Sequence, residues 1–437
     1  MVTGPVLIVG CGVFGLSTAL ELVKQGKFVS IIDKYEPPSP WAAANDFNKI
    51  IRCEYSNLMY AKLAVEALHL WRSDEIFQKS LNECGRILVT PTTHIGRSEF
   101  EMKGIQNLQK LGEGLNFEFY KGGKEVAKKF PCFADNDIPN NQQVKFNPEA
   151  GLGHSANSIK HLYEYLSSHP NVRCIFGSDG AAIGVKKYND GEIGIITESG
   201  FVHTASTIIL SAGANTGSIL NLENQQSATG TFVTHIQLND NEYIKYKSMP
   251  VLFDAEIGYF FPPDPATKIM KICLTGCGIK RSVADPYNEN MTISLPRYKN
   301  EFPKDTIPKN AIPYIRALLK KYVPELQAHK LFGSKICWYG DREDSHFLID
   351  KVPGYNNLYV ATGDSGHGYK FLPNIGKYIV QRLDNILDKE LADVWCWKSR
   401  LDAAMVDPSK QSWRIAKYKT QDLKDLNFVV EAESSKL

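Results

Sequence analysis

At 437 residues the chain exceeds the roughly 250–300 residues at which one hydrophobic core stops growing, so two domains are expected. Apolar residues make up 43% and charged residues 22%, the balance of a globular protein with material for a sizeable core. With 50 basic residues against 48 acidic ones the net charge is +2, which gives no bulk attraction for nucleic acid and requires any anion site to be local. No run reaches the ~18 uninterrupted apolar residues of a membrane span, so no membrane partner is expected either. The cysteine count is 9, odd and without a CxxC pair. The close pair Cys273 and Cys277 lacks the second pair of thiols or imidazoles that zinc needs, so reduced thiols and no metal are expected.

The apolar run Val6–Val9 predicts a buried parallel strand. Gly10, Cys11, Gly12, Val13, Phe14 and Gly15 then spell GxGxxG, and Leu16, Ala19, Leu20 and Val23 continue at helical spacing. Residues 28–32 predict a second strand, ending at Asp33. Gly10 permits the tight turn, Gly12 lets a pyrophosphate approach the backbone, and Gly15 lets the helix lie close on the strand. Asp33 stands where a carboxylate accepts from a ribose hydroxyl. The glycine pattern alone is weak evidence; strand, turn, helix and acid in this order predict a dinucleotide-binding domain.

Farther on, residues 207–214 (TIILSAGA) read as a strand running into small residues. Residues 358–370 (LYVATGDSGHGYK) read as a strand followed by a turn in which Gly363, Gly366 and Gly368 permit close backbone approach to a ligand. A helix is expected within 371–387, its start limited by Pro373. Strands are expected at 236–238 and 269–273, and a helix at 311–322.

Together the three glycine-rich or small-residue segments resemble the FAD-linked amine oxidases of the monomeric sarcosine oxidase family, a group that includes pipecolate oxidase, fungal saccharopine oxidase and the fructosyl amino acid oxidases. The resemblance runs from Val6 to about Trp397 and is strongest over the first 60 residues, 258–273 and 335–377. It implies an α/β fold in which a Rossmann-like FAD-binding domain (1–85, 150–222 and 335–395) is interleaved with an α+β, antiparallel-sheet substrate domain (86–149 and 223–334), followed by a C-terminal segment, 396–437. Cofactor contacts are expected from Gly10, Gly12, Val13, Phe14, Gly15, Asp33, Lys34, Asn45, Lys49, Asp364, Gly366, Gly368 and Lys370.

Five positions carry the chemistry that the resemblance implies. Cys337, in Lys335-Ile336-Cys337-Trp338-Tyr339, matches a cysteine bound through sulfur to the flavin 8α carbon; read alone it is a thiol at a strand end. Lys271 is a lysine in an apolar strand, which ordinarily faces solvent; the family places it over flavin N5, where its charge assists oxygen reduction, with Lys49 on the other ring face. Arg52 and Lys370 match the cations that grip the substrate carboxylate. Arg414 is a further candidate for substrate contact, and His367 is either a base or a loop residue.

The implied reaction oxidises an N-substituted amino acid such as L-pipecolate, L-saccharopine or sarcosine, with O2 as acceptor, to an imine and H2O2. Fructosyl amino acid oxidases are the alternative. They carry an acidic pair just after the lysine matching Lys271, where this chain has Leu274 and Thr275, and they generally lack an arginine matching Arg52. A NAD-dependent dehydrogenase on the same turn is a more distant alternative, which leaves Cys337 without a role. Ser435, Lys436 and Leu437 read as a peroxisomal address for the import receptor, a fitting destination for a source of peroxide.

Overall fold

The computed structural model describes residues 4–189, 191–275, 278–398 and 414–429; Cys277 and the Ser435, Lys436 and Leu437 tripeptide lie outside the described residues. Val6–Val9 is apolar on both faces because it runs inside a six-stranded sheet, between Val29–Ile32 and Thr207–Leu210 and parallel to both. Ile8 pairs with Ile31 on one side and Ile209 on the other, and all three are fully buried. Val172–Ile175 extends the parallel order at one edge; Leu358–Thr362 and the antiparallel Leu348–Lys351 complete the other. The helix Val13–Lys24 packs on this sheet beside Ile375–Leu383. Their close approach depends on Gly376, where a Cβ would stand 1.9 Å from the Ser17 carbonyl oxygen.

A second, ten-stranded sheet is built around the eleven-residue strand Ser227–Gln237. Ile269–Leu274 pairs with it on one side and Phe332–Asp341 on the other. Beyond Ile269–Leu274 come Gly258–Phe260, Val251–Asp254, Arg86–Val89, Gln143–Asn147 and Glu118–Lys121. Ile87, Val144, Phe146, Leu252, Phe260 and Ile272 face one way, into an apolar core shared with the helix Ile312–Tyr322. Their strand neighbours Arg86, Lys145, Asn147, Phe253, Tyr259 and Lys271 face the other way, into a cavity. The period of two along each strand thus separates core from cavity. A small sheet of Lys49–Ile51, Gly151–Gly153 and Leu81–Asn82 joins the two large ones. Among the described residues no helix is long and apolar enough to cross a membrane.

Two expectations change, and a third is met within narrower bounds. Residues 335–341, placed with the cofactor domain, belong to Phe332–Asp341, which is hydrogen-bonded along Ser227–Gln237 in the large sheet. The strand expected at 236–238 is only the end of Ser227–Gln237, whose Ser-Ala-Thr-Gly-Thr start has no apolar alternation to read. The helix expected within 371–387 is Ile375–Leu383, preceded by a single 3₁₀ turn, Tyr369–Phe371, because Pro373 has no N–H to donate. Substituting Gly376→Ala forces these two helices apart, and we expect a urea unfolding midpoint lower by the equivalent of about 1–3 kcal/mol.

Candidate active site between the two sheets

Gly10 leaves the first strand with φ of +109°, and a Cβ there would come 2.5 Å from the Ser211 carbonyl oxygen. A Cβ at Gly12, in contrast, would meet nothing within 4 Å among the described residues beyond its own stretch of chain. Gly12 caps the helix Val13–Lys24 without a side-chain hydrogen bond, so backbone N–H groups at a helix start border the cavity, the arrangement that suits a phosphate. Asp33 fixes the turn: its Oδ2 accepts from the Cys11 N–H at 2.7 Å and its Oδ1 from the Tyr35 N–H at 3.2 Å. Burial pushes the Asp33 carboxyl up, against the pull of these N–H groups.

One cavity of about 810 Å³ takes its walls from both sheets. Gly10, Gly12, Val13, Phe14, Asp33, Lys34, Lys49, Arg52, Lys271, Cys337, Asp364, Gly366, Gly368, Lys370 and Arg414 all border it, so the segments singled out in the sequence meet in space. Three expected contacts do not border it. Gly15 is a packing position, where a Cβ would lie 1.9 Å from the Gly10 carbonyl oxygen. Asn45 ties down its own loop, donating to the Pro38 carbonyl at 3.4 Å and accepting from Lys335 Nζ at 2.7 Å through its own carbonyl. Gly363 donates its N–H to Gln226 Oε1 at 2.9 Å, and a Cβ there would meet the Arg342 side chain at 2.9 Å.

Asp46, in the same loop as Asn45, is the acid at the centre of a cationic cluster. Lys271 Nζ lies 2.5 Å from Asp46 Oδ2 and donates to the Asn48 carbonyl at 2.6 Å. Lys49 Nζ reaches the same oxygen at 3.2 Å and stands 4.0 Å from the Cys337 Sγ. The two ammonium groups therefore share one carboxylate oxygen. Burial alone would raise the Asp46 carboxyl, but Lys271, Lys49 and Lys335 outweigh it and hold the group well below the usual carboxylate range.

Arg52 and Lys370 show the reverse situation. Arg52 donates to the Glu54 backbone carbonyl and its guanidinium lies 4.6 Å from the Tyr55 ring centroid. Lys370 Nζ donates to the His367 carbonyl at 2.8 Å, and Trp71, fully buried, holds the Lys370 carbonyl through its indole N–H at 2.8 Å. Among the described residues neither cation is in an ion pair with a carboxylate. Burial, with Arg52 and Arg86 nearby, drives the Lys370 ammonium well below its ordinary range. His367 is fixed at both ring nitrogens: Nε2 donates to the Ser345 carbonyl at 2.9 Å, which leaves Nδ1 to accept from the Tyr55 hydroxyl at 3.1 Å. It has no free lone pair for work as a base. Arg414 reaches the cavity with its fork on Asp341, at 2.9 and 3.1 Å. Sequence reasoning missed Asp46, Arg86, Arg97 and Lys145; Arg86 borders and Lys145 interrupts an apolar segment, which is the available signal for those two.

Residues 5–382 match the family described as FAD dependent oxidoreductase. The chain belongs to this family. It is 39% identical to L-saccharopine oxidase of Schizosaccharomyces pombe over 441 aligned residues, covering 98% of this chain and 99% of that protein. It is 25% identical to monomeric sarcosine oxidase of Bacillus sp. strain B-0618, over 86% of this chain and 91% of the other. The structure of fructosyl peptide oxidase from E. terrenum superposes with a TM-score of 0.87 at 30% identity, covering 98% of each chain. These matches set aside the NAD-dependent alternative. The uncapped helix start and the open space beside Gly12 fit FAD, whose pyrophosphate needs N–H donors and close backbone approach.

The shared ion pair makes a stability prediction. A carboxyl held below its unfolded pKa of about 3.9 contributes stability above that pH and loses it as pH falls toward the folded value. Asp46→Asn should therefore cost about 3–5 kcal/mol at pH 7 in urea unfolding, a difference that narrows only below about pH 4.

Proposed function

We propose that this FAD-dependent oxidoreductase oxidises the C–N bond of a secondary-amine amino acid of the saccharopine and pipecolate type, with O2 as final acceptor and H2O2 as product. The Arg52 and Lys370 pair carries this reading: two cations border the cavity without a carboxylate partner among the described residues. An amino acid carboxylate supplies what is missing, accepting from the guanidinium fork and the ammonium together. Bound FAD supplies the acceptor for the hydride and its electrons.

The chain's own residues then do three things. Arg52 and Lys370 fix the amine nitrogen and its neighbouring carbon in one orientation, which is where rate arises when a cofactor does the redox work. Burial and the nearby Arg52 and Arg86 press on the Lys370 ammonium, so an arriving carboxylate stabilises its charged form, while the amine itself must be neutral to react. Lys271 and Lys49 place fixed positive charge at the other group of site residues, where it favours reduction of oxygen. Leu274 and Thr275 border the cavity where the fructosyl amino acid oxidases carry acids, which supports the carboxylated secondary amine over the sugar amine.

A peroxide assay over L-pipecolate, L-saccharopine, sarcosine and fructosyl valine tests the reading, and oxidation of fructosyl valine alone would overturn it. Arg52→Gln should raise KM for the carboxylated substrates about 30-fold, or about 2 kcal/mol, with bound flavin absorbance retained. The Cys337 thiol faces the cavity 4.0 Å from Lys49 Nζ, which supports a thioether to the flavin. Cys337→Ser should release its flavin on acid precipitation, whereas wild-type protein should keep it; flavin still attached to the variant would refute the linkage.

A further inference from the structure

Asp364 turns a carboxyl to the cavity within electrostatic reach of Lys49, from one group of site residues, and Lys370, from the other. Its Oδ1 accepts from the Gly340 N–H at 3.1 Å, and the Ser365 N–H donates to the Gly340 carbonyl at 2.7 Å, so this turn is fastened to the end of Phe332–Asp341. The Asp364 carbonyl accepts from the His367 N–H at 2.9 Å. Gly368 leaves the side chain its space, since a Cβ there would stand 2.9 Å from the Asp364 Cβ. Backbone thus holds the carboxyl in one place by one oxygen, while the second oxygen has no hydrogen-bond partner among the described residues.

The cations around Asp364 are engaged with other groups. Lys49 Nζ is on Asp46 at 3.2 Å, Lys370 Nζ on the His367 carbonyl at 2.8 Å, and the Arg414 fork on Asp341 at 2.9 and 3.1 Å. In the neighbouring loop Asp344 is paired with Lys398, and burial presses the His346 and His367 rings toward their neutral forms. Cys337 and Tyr339 project from Phe332–Asp341 into the same cavity. Two carboxyls, Asp341 and Asp364, therefore meet at one strand end, and the guanidinium sits on Asp341. Neighbouring carboxyls resist ionising together, and the one without the cation keeps its proton to higher pH. Burial first and the Asp341 carboxylate second push the Asp364 carboxyl up to about 7, against the Gly340 N–H, Lys49 and Lys370. Burial raises Asp341 as well, with Arg414 opposing.

We propose that Asp364 is a proton-holding residue of the cofactor site: anchored by Gly340 through one oxygen, it donates as a neutral acid from the other to the redox ring of FAD, and reduction of the ring tightens its hold on that proton. A neutral acid tolerates the negative charge that two electrons bring to the ring, whereas a carboxylate opposes it. The ring is therefore harder to reduce once Asp364 has ionised, and reduction above that point takes up one further proton from solvent. The proposal rests on FAD with its ring beside Cys337, as proposed above, and adds a residue that sets how readily the ring is reduced.

The test follows the flavin absorbance of the oxidised holoenzyme, and its reduction by dithionite against a reference dye, across neutral pH without amine or O2. In wild-type protein the flavin bands should shift with a single inflection near neutrality. Above it, the equilibrium constant for reduction should fall about fivefold more per pH unit than in Asp364→Asn, tenfold being the limit for one proton. Asp364→Asn, which keeps a neutral donor and an acceptor for the Gly340 N–H, should retain its flavin and lose both features. Asp341→Asn removes the neighbouring charge and leaves Asp364 intact, so it should keep the inflection and move it to lower pH. An inflection unchanged in Asp364→Asn, or none in wild-type protein, would overturn the proposal. Should Asp364→Asn not fold, an inflection that Asp341→Asn fails to displace would overturn it too. No amine enters these measurements, so a protein that oxidises none of the candidate amines yet shows the displaced inflection loses the oxidase reading and keeps the role of Asp364.

Discussion

Asp46 is held between Lys271, from the large sheet, and Lys49, from the small one, with all but 2% of its side chain enclosed. Its backbone carbonyl accepts the Ser155 hydroxyl at 2.9 Å and the Ala156 N–H at 3.1 Å, so the start of the helix Ser155–Ser167 is tied to the same residue. A buried carboxylate with one cation would leave lone pairs unmet; here two ammonium groups share one oxygen and the loop's N–H groups take part, as with the Phe47 N–H on Oδ1 at 2.9 Å. This contact fixes the separation of the two sheets on the side where Cys337 enters the cavity from Phe332–Asp341.

Lys271 and Lys370 are both almost fully buried, yet their surroundings are opposite. Lys271 has Asp46 in ion-pair contact, whereas Lys370 has Arg52 and Arg86 as neighbours that oppose its charge, Asp364 as a weaker favourable one, and a backbone carbonyl as its hydrogen-bond acceptor. The first is a structural cation whatever binds. The second is kept in place by uncharged scaffolding: Trp71 on its carbonyl, the Tyr55 and Phe371 rings at 5.5 Å, and the doubly bonded His367 before it. Rigidity of this kind lets a site wait for its ligand without collapsing onto itself.

The cofactor half of the fold was legible because its signals are local. A strand, a glycine turn and a helix occupy adjacent residues from Val6 to Lys24, and the apolar code of Val6–Val9 follows directly from burial on both faces. The other half depends on pairings between distant segments, such as the parallel contact of Arg86–Val89 with Val251–Asp254, and nothing within either segment announces its partner. The positions that do not border the cavity have the same origin. Asn45 and Gly363 look like ligand contacts in a motif, but their partners, Lys335 and Gln226, come from elsewhere in the chain. Asp46 was passed over beside them because its importance depends on Lys271, more than two hundred positions away.

The substrate wall shows why such residues are hard to read and still constrained. Along Arg86–Val89 and Gln143–Asn147, each charged or polar position alternates with one that is buried in the apolar core, so Ile87 and Phe146 cannot shift register without moving Arg86 and Lys145 out of the cavity. Burial lowers the Arg86 guanidinium to about 10, with Glu54 opposing and Arg52 reinforcing the shift. Cations under that pressure destabilise the empty protein, and an anion that relieves it stabilises the folded state in proportion to its affinity. The same sheet therefore turns its apolar positions to a core on one face and its charged positions to the cavity on the other.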